Sequence, residues 1–485
     1  MNQAYRAHIG IGVGLFALAL GFRLALRGAL FDGLYGQDAY AYFDVATQIV
    51  RGEPIMPFYW GIGYPLVLAG GFAIFGISPA VAQTFNMVMG AALAPMLYSL
   101  ARGTGLLTGY SALAGLLIAF SGQAAQSSLV VMADIPALFW AVLSAICLCM
   151  FLGQPARPAW GLVSVACLML AVITRWLYLA LIPAWCAWAL FGLQRERVRF
   201  FAGAGAVSAL VLLPQIAFSI VHPVPVIDHA WVQGWSLAHA GERAFVNVDG
   251  TFAYAQVNAL FYAAPLTDPY YLAPVFALFI PVGLWVIRRQ LPLWCGLVGW
   301  LTLPYLFLIG IPYQNLRFPL IMLPASILLA LTGLAHVVTV WAAHMRLRQM
   351  IRVIVLIGVC SGLITMSETR SRVESFIAAQ LHDQAAVAWA AEMLPDHALV
   401  YTLGLTLPLR RLHDGEVRDL YYETFHTLRT EAEQDRTAYL LVNRWQIENQ
   451  WQGFAPSDAF YWLRTRRGII RAGQHGNYTL YWVRP

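Results

Sequence analysis

Eleven apolar stretches run through the first 370 or so residues, at 8–30, 80–101, 106–130, 135–152, 158–174, 176–193, 200–221, 270–287, 291–310, 318–341 and 350–367. A helix needs about 20 mainly apolar residues to cross a bilayer. The chain is therefore read as an all-α polytopic membrane protein with about 11–13 transmembrane helices. The run 62–77 is short and glycine-rich, and is expected to lie along or re-enter the membrane surface without crossing. Residues 9–22 are followed by Arg23 with no small-residue cleavage site, so the first span is expected to be retained.

Composition agrees. Of the 485 residues, 60% are hydrophobic and 11% charged, against about 25% charged in a soluble domain. All thirty basic residues are arginine. The absence of lysine excludes Schiff-base and lysine-nucleophile chemistry. A net charge of +6 comes without a basic stripe or recognition motif, which argues against nucleic acid as a partner. The six cysteines all sit inside apolar runs, so the polar segments hold no disulfide, and a cysteine metal site is not expected.

Arginine placement sets the topology. Arg102, Arg157, Arg195, Arg197, Arg199, Arg288, Arg289, Arg346, Arg348 and Arg352 fall in alternate loops, which the positive-inside rule puts in the cytoplasm. The loops 31–79 and 222–269, the turns at Asp134 and Arg175, the stretch Tyr313–Arg317 and everything after 368 then lie outside. Asp38, Asp134, Arg175 and Arg317 reach one face from distant parts of the chain. Ionised groups near membrane depth cost roughly 3 kcal/mol or more unless paired or hydrated. A shared cavity accounts for all four, whereas separate helix-end charges would each need their own explanation. Asp38 and Asp134 also suit helix N-caps, and capping is compatible with chemistry.

The segment 222–269 carries His222, Asp228, His229, His239, Glu242, Arg243 and Asp249. Its histidines are seven and ten residues apart, which fits no compact zinc pattern. With Trp231, Trp235, Phe252 and Tyr254 it reads as an outer loop covering the cavity. After residue 368 the composition becomes soluble-like. ALVYT (398–402), VRDLYY (417–422), AYLLVN (438–443), GIIRAG and YTLYWV read as strands among helices at about 374–393 and 405–413. The expected organisation is a transmembrane catalytic unit, 1–368, followed by a small α/β extracytoplasmic domain, 369–485. That domain has no GxGxxG or P-loop.

Outside the membrane no nucleotide sugar is at hand, so group transfer there needs a lipid-linked donor. Arginine pairs bidentately with its phosphate. A carboxylate takes the proton of the acceptor hydroxyl.

At these residues the sequence resembles the GT-C class of membrane glycosyltransferases. The branch is that of the protein O-mannosyltransferases and the lipid A aminoarabinose transferase (family 39-like, PMT_2-type). The resemblance is carried by Asp38-Ala39-Tyr40-Ala41-Tyr42-Phe43, Gly52, Gly63-Tyr64-Pro65-Leu66, Met132-Ala133-Asp134-Ile135-Pro136, Thr174-Arg175-Trp176 and Arg317-Phe318-Pro319. It implies a GT-C fold and an inverting transfer from a polyprenyl-phosphate-linked sugar to a lipid, glycan or protein acceptor. Asp38 would be the general base, with Asp134, Arg175 and Arg317 in the substrate site. Tyr40, Tyr42, Tyr64 and Tyr313 are further substrate-binding candidates. Many members carry a second acid where this chain has Ala39, so the role of that carboxylate is either missing here or moved to Asp44 or Glu53. The resemblance leaves room for a divalent cation and implies a bacterial inner membrane with a periplasmic active site. The alternative is a polytopic transporter or lipid flippase of the cell envelope, but no internal repeat is visible.

Overall fold

The computed structural model describes residues 3–56, 58–193, 196–222, 230–342, 347–432 and 437–484. Arg195, Asp228, His229 and Arg346 of the sequence reading lie outside the described residues, as do the side chains of 347–361, Arg348 and Arg352 among them.

The helices in order are α1 (Gln3–Arg27), α2 (Gly36–Arg51), α3 (Gly63–Phe75), α4 (Pro79–Gly103), α5 (Thr108–Phe120), α6 (Gly122–Ser128), α7 (Asp134–Gly153), α8 (Pro158–Thr174), α9 (Ile182–Gly192) and α10 (Arg197–Val221). Short helices α11 (Ala230–Gln233), α12 (Asn258–Tyr262) and α13 (Ala264–Thr267) follow, around a hairpin of β1 (Ala244–Asn247) and β2 (Gly250–Ala253). Then come α14 (Pro274–Ala277), α15 (Ile280–Ile287), α16 (Leu291–Ile309), α17 (Leu323–Ala342) and α18 (Leu347–Met393). Among the described residues six helices are long and apolar enough to cross a membrane, the first Arg6–Arg27 and the last Phe318–Val340. Five shorter apolar helices lie among them.

Local chemistry sets many of the ends. Ser78 caps α4, its hydroxyl accepting from the Val81 amide at 3.2 Å, with Pro79 in the first turn. The expected single span 106–130 is instead broken at Ser121, whose hydroxyl accepts from the Ala124 amide to begin α6. The break serves packing. A Cβ on Gly122 would come within 2.3 Å of the Tyr270 ring, and the Gln123 amide donates to the Tyr270 carbonyl at 3.0 Å. Arg23, fully buried on α1, donates to Ser128 Oγ at 3.0 Å and to the carbonyls of Ala19 and Ala119 at 2.9 and 3.2 Å. The Ala119 carbonyl is one of those α5 leaves unpaired at its end.

Helices meet by polar exchange and by small residues, as expected where lipid gives no hydrophobic drive between them. Ser144 and Ser164 each donate to the other's carbonyl, at 2.7 and 2.6 Å, locking α7 to α8. Gly283 and Gly333 let α15 and α17 touch backbone to backbone.

The bundle brings Asp38 and Asp134 to one end, each within ion-pair distance of Arg317. Between them in sequence lie α3 and α5, each 13 residues or about 20 Å, and the 25-residue α4; of these only α4 reaches the length of the roughly 30 Å core. Arg102, Arg157, Arg199 and Arg288 collect at the other end.

Helix α18 carries the chain through residue 368 without a break, so the helix expected at 374–393 is its upper half. Beyond it stand β3 (Leu399–Thr402), α19 (Thr406–Arg410), β4 (Val417–Asp419), α20 (Phe425–Ala432), β5 (Ala438–Asn443), α21 (Arg444–Glu448), α22 (Ala455–Trp462), β6 (Ile469–His475) and β7 (Tyr478–Val483). The strand expected over 417–422 stops at Asp419, because residues 420–422 turn away. The sheet order is β4-β3-β5-β7-β6, with the first three parallel and the last two pairings antiparallel. Alternation puts Val400, Leu441 and Leu480 on Ala386, Val387 and Ala390 of α18, while Leu440 and Val442 pack on Leu428 and Phe460. The ends of β3 and β4 lead into α19 and Asp419, which rest on α2.

Candidate active site

Helix α2 is amphipathic in an unusual sense, because both of its long sides are covered. Residues three, four and seven apart share a face. Gln37, Tyr40 and Asp44 turn toward the C-terminal sheet, and Asp38 and Tyr42 toward the bundle. Asp38 lies in the first turn, three residues after the capping position at Tyr35, and is not itself the cap. Asp134 is likewise the first residue of α7, after Ala133. Both carboxylates sit where a helix dipole favours negative charge. Arg175 ends α8, where the dipole favours a cation, and its extended backbone swings it back over the site.

Arg317 joins these pieces. Its Nη2 lies 3.7 Å from Asp38 Oδ2 and its Nη1 3.5 Å from Asp134 Oδ2. Arg175 Nε lies 3.2 Å from Asp134 Oδ1, and its guanidinium rests 5.0 Å over the Phe318 ring. Exposure is graded: Asp38 is 36% exposed, both arginines 15%, and Asp134 3%. The site is thus a chain of alternating charge running inward from a partly open mouth. Two acids and two arginines balance. Arg317 Nη1, Asp134 Oδ2 and Thr174 Oγ1 are buried with no hydrogen-bond partner among the described residues, which leaves polar capacity at the inner end.

Each charge is held by a braced loop. Asn315 Oδ1 accepts from the Arg317 amide at 3.0 Å and from its Nε at 3.3 Å. The loop 310–317 is tied down by Asn258 Nδ2 on the Ile311 carbonyl at 2.7 Å and by the Tyr262 hydroxyl on the Tyr313 carbonyl at 2.7 Å. The Tyr271 hydroxyl donates to the Leu316 carbonyl. Ahead of Asp134, Asn86 Nδ2 donates to the Val130 and Met132 carbonyls at 2.5 and 2.9 Å, and the Val131 amide donates to the Gly33 carbonyl at 2.9 Å. Beside Arg175, Gly61 and Gly63 lie against the backbone of 173–174. A Cβ on Gly61 would come 2.0 Å from the Ile173 carbonyl oxygen.

The four tyrosines read from sequence divide. Tyr42 packs edge-on against Tyr64 and Phe58 at 5.1 and 5.5 Å and lies in the field of all four charges; burial raises its phenol. Tyr313 roofs the site, stacked on Trp231 at 4.8 Å and met edge-on by Phe252 at 5.4 Å. Tyr64 stands one layer back, its hydroxyl donating to Asn86 Oδ1 at 2.8 Å. Tyr40 faces the other way, under Arg411 at 5.7 Å. Neither substitute for the second acid is at the site. Asp44 faces Arg410 and Arg411, and Glu53 pairs with Arg51 at 3.7 Å on the surface. Sequence reasoning missed Tyr35, whose phenol is raised by burial while Arg317 beside it pulls the other way. It also missed Asn315, although Asn two residues before a loop arginine is an Asx-turn signal.

The loop 222–269 is ordered where described. Its hairpin is fastened by Asn247 Nδ2 on the Pro312 carbonyl at 2.7 Å and by the Thr251 amide on the Gln450 carbonyl at 2.7 Å. Burial lifts the Asp249 carboxyl at its tip; a hydrogen bond from Trp231 opposes this and the nearby Asp38 carboxylate adds to it. His239 is bound to the Gly310 carbonyl at 2.8 Å and His222 packs on Phe218, so these two histidines do not converge. No group of three metal-ligating side chains occurs among the described residues. Asp38 and Asp134 are the carboxylates a divalent ion would use, and Arg317 stands between them. An ion there would face a fixed positive charge, so this arrangement does not fit one.

A family model described as dolichyl-phosphate-mannose-protein mannosyltransferase matches residues 66–225. No curated protein sequence matches the chain at a significant level. Among solved structures, ArnT from Cupriavidus metallidurans bound to undecaprenyl phosphate is similar, with 14% identity and a TM-score of 0.62 over 99% of this chain and 98% of that one. The oligosaccharyltransferase AglB from Archaeoglobus fulgidus, in complex with an inhibitory peptide and a dolichol-phosphate, matches with 12% identity and a TM-score of 0.64, over 92% of this chain and 70% of that one.

Proposed function

Starting from the GT-C fold that this chain has, we propose that it is a glycosyltransferase taking a sugar from a polyprenyl-phosphate-linked donor. The observation that carries the reading is Arg317 bridging Asp38 at the mouth to Asp134 at the base. Two proteins of similar fold hold undecaprenyl phosphate and a dolichol-phosphate, and the family model that matches residues 66–225 is named for a dolichyl-phosphate sugar donor.

In this reading Asp38, the more exposed acid, accepts the proton of the acceptor hydroxyl. The freed oxygen attacks the anomeric carbon from the face opposite the phosphate, inverting it. The bond to the phosphate oxygen breaks, and the polyprenyl phosphate leaves with the electron pair. A well-placed base of this kind contributes about 10²–10⁴ in rate. Once Asp38 is neutral its hold on Arg317 weakens, and that guanidinium is free to meet the charge growing on the leaving phosphate. Asp134 keeps the second cation, Arg175, oriented. Residues 1–368 supply this chemistry and 369–485 cover its mouth. The membrane is a bacterial inner membrane and the site faces the periplasm; the acceptor is a lipid, glycan or protein there.

The test is to incubate the purified protein with a panel of polyprenyl-phosphate sugars and membrane extract, and to measure free polyprenyl phosphate. One donor is expected to release it, and Asp38→Asn is expected to stop the release. Turnover by Asp38→Asn at the wild-type rate would remove Asp38 as the base, and release from no donor would remove the enzyme reading.

A further inference from the structure

The first turn of α2 has no side-chain cap of its own. Tyr35 makes no capping bond, and Gly36 stands at φ +55°. A helix start left in this state frays, because its leading amides have no partner within the helix. Yet Asp38 lies in that turn, and its distance to Arg317 depends on where the turn sits. Something outside the helix must hold it.

The neighbour of Asp38 does so. Gln37 points about 100° around the helix from Asp38. Its Nε2 donates to Asp419 Oδ2 at 2.9 Å, at the end of β4, and its Oε1 accepts from the Leu407 amide at 3.4 Å. Asp419 is itself fixed. Oδ2 also accepts from the Thr406 hydroxyl at 2.7 Å, and Oδ1 from the Tyr421 amide at 3.0 Å. Farther along the same face Arg411 lies 5.7 Å over the Tyr40 ring. Just ahead of α2, Gln384 Nε2 donates to Asp32 Oδ1 and to the Leu34 carbonyl, both at 3.0 Å.

We infer that Asp419 and Gln37 are positioning residues for Asp38: the C-terminal sheet clamps the first turn of α2 and sets the reach of the base toward Arg317. The sheet is then a working part of the site. The role assigned to Asp38 rests on the function proposed above; the clamp is a structural statement and is testable without it.

The experiment compares Gln37→Leu, Asp419→Ala, their double variant and Asp419→Asn, all in the full-length protein. Amide hydrogen exchange is followed in peptides covering 36–43 and, as a control, 438–443. The expected result is at least tenfold faster exchange at 36–43 in each of the first two variants, with no change at 438–443. The double variant should be no faster than Gln37→Leu, which already breaks both links of Gln37, to Asp419 and to the Leu407 amide. Asp419→Asn, which keeps an acceptor oxygen, should restore most of the protection. Turnover per folded molecule should fall about tenfold in Gln37→Leu and Asp419→Ala with donor KM unchanged, and recover in Asp419→Asn. Gln37→Leu leaves the sheet intact, so it decides the matter if Asp419→Ala fails to fold. Unchanged exchange at 36–43, equal acceleration in both peptides, or additive effects in the double variant would overturn the clamp. If exchange behaves as expected but Asp38→Asn still turns over, the clamp stands and the enzyme reading falls.

Discussion

Arg317 Nη1 lies 3.5 Å from Asp134 Oδ2, and both atoms are buried without a hydrogen-bond partner among the described residues. The two groups attract each other without closing the geometry of a bond. Arg317 is also shared with Asp38, so it cannot settle fully on either acid. A guanidinium held in this way can change partners during a reaction at small cost.

The two acids are therefore expected to respond differently to the same substitution. Asp38→Asn removes a pair at a partly exposed site, where such pairs contribute about 0–1 kcal/mol. Its melting temperature should stay near wild type while transfer falls by about 10²–10⁴. Asp134→Asn strips both arginines of a deeply buried partner. Breaking a buried pair costs about 3–5 kcal/mol. Thermal unfolding in detergent should show a clear loss of stability for Asp134→Asn alone.

Asp44 gives a pH dependence with a definite sign. Burial raises its carboxyl to about 6, and Arg411 and Arg410 draw it back. The folded value lies above the usual one near 3.9, so the folded state holds this proton more tightly than the unfolded chain. The stabilisation is complete below about pH 4 and is lost as pH rises through about 6. The full effect is on the order of 1–3 kcal/mol, reduced by the solvent that reaches the group. Asp44→Asn should therefore melt higher than wild type at pH 7 and match it at pH 4, measured by scanning fluorimetry across that range.

Much of this was legible in the sequence because the membrane simplifies the code. Apolar runs announce helices, and arginine-bearing loops fix their parity. That parity alone brings Asp38, Asp134, Arg175 and Arg317 to one end. Strands such as AYLLVN and YTLYWV were readable from their β-branched and aromatic content. What was not legible depends on contacts between distant segments. The break at Ser121 answers to Tyr270, some 150 residues later. The placement of Tyr40 away from the charges, and of Tyr42 among them, follows from a sheet covering the far side of α2. No periodicity in α2 itself marks which face will meet the site.

Arg317→Lys tests whether bridging, and not charge alone, matters. A lysine carries one compact charge without the planar fork. It cannot span Asp38 and Asp134 together, and it meets a phosphate at one point. Charge-assisted hydrogen bonds contribute about 1.5–3 kcal/mol, so kcat/KM for the lipid-linked donor should drop roughly 10- to 100-fold. Steady-state kinetics over a donor titration would measure it, and an unchanged kcat/KM would reduce Arg317 to a structural tie.

Gly61 offers a test of placement that touches none of the charged groups. The segment Gly61-Ile62-Gly63 runs against residues 173–174, the last backbone before Arg175. A Cβ at Gly61 would stand 2.0 Å from the Ile173 carbonyl oxygen, a distance no methyl group can tolerate, and the obstacle is main chain. Gly61→Ala must therefore push 173–175 aside by about an ångström, carrying Arg175 away from Asp134. A displacement of that size near a reacting centre costs about 10²-fold in rate. Gly70→Ala, on the following helix α3, is the control, since its added methyl meets nothing within 4 Å. Transfer should collapse in Gly61→Ala and persist in Gly70→Ala, with both proteins assayed as folded material after gel filtration. Equal activity in the two would show that Arg175 need not be held where it is.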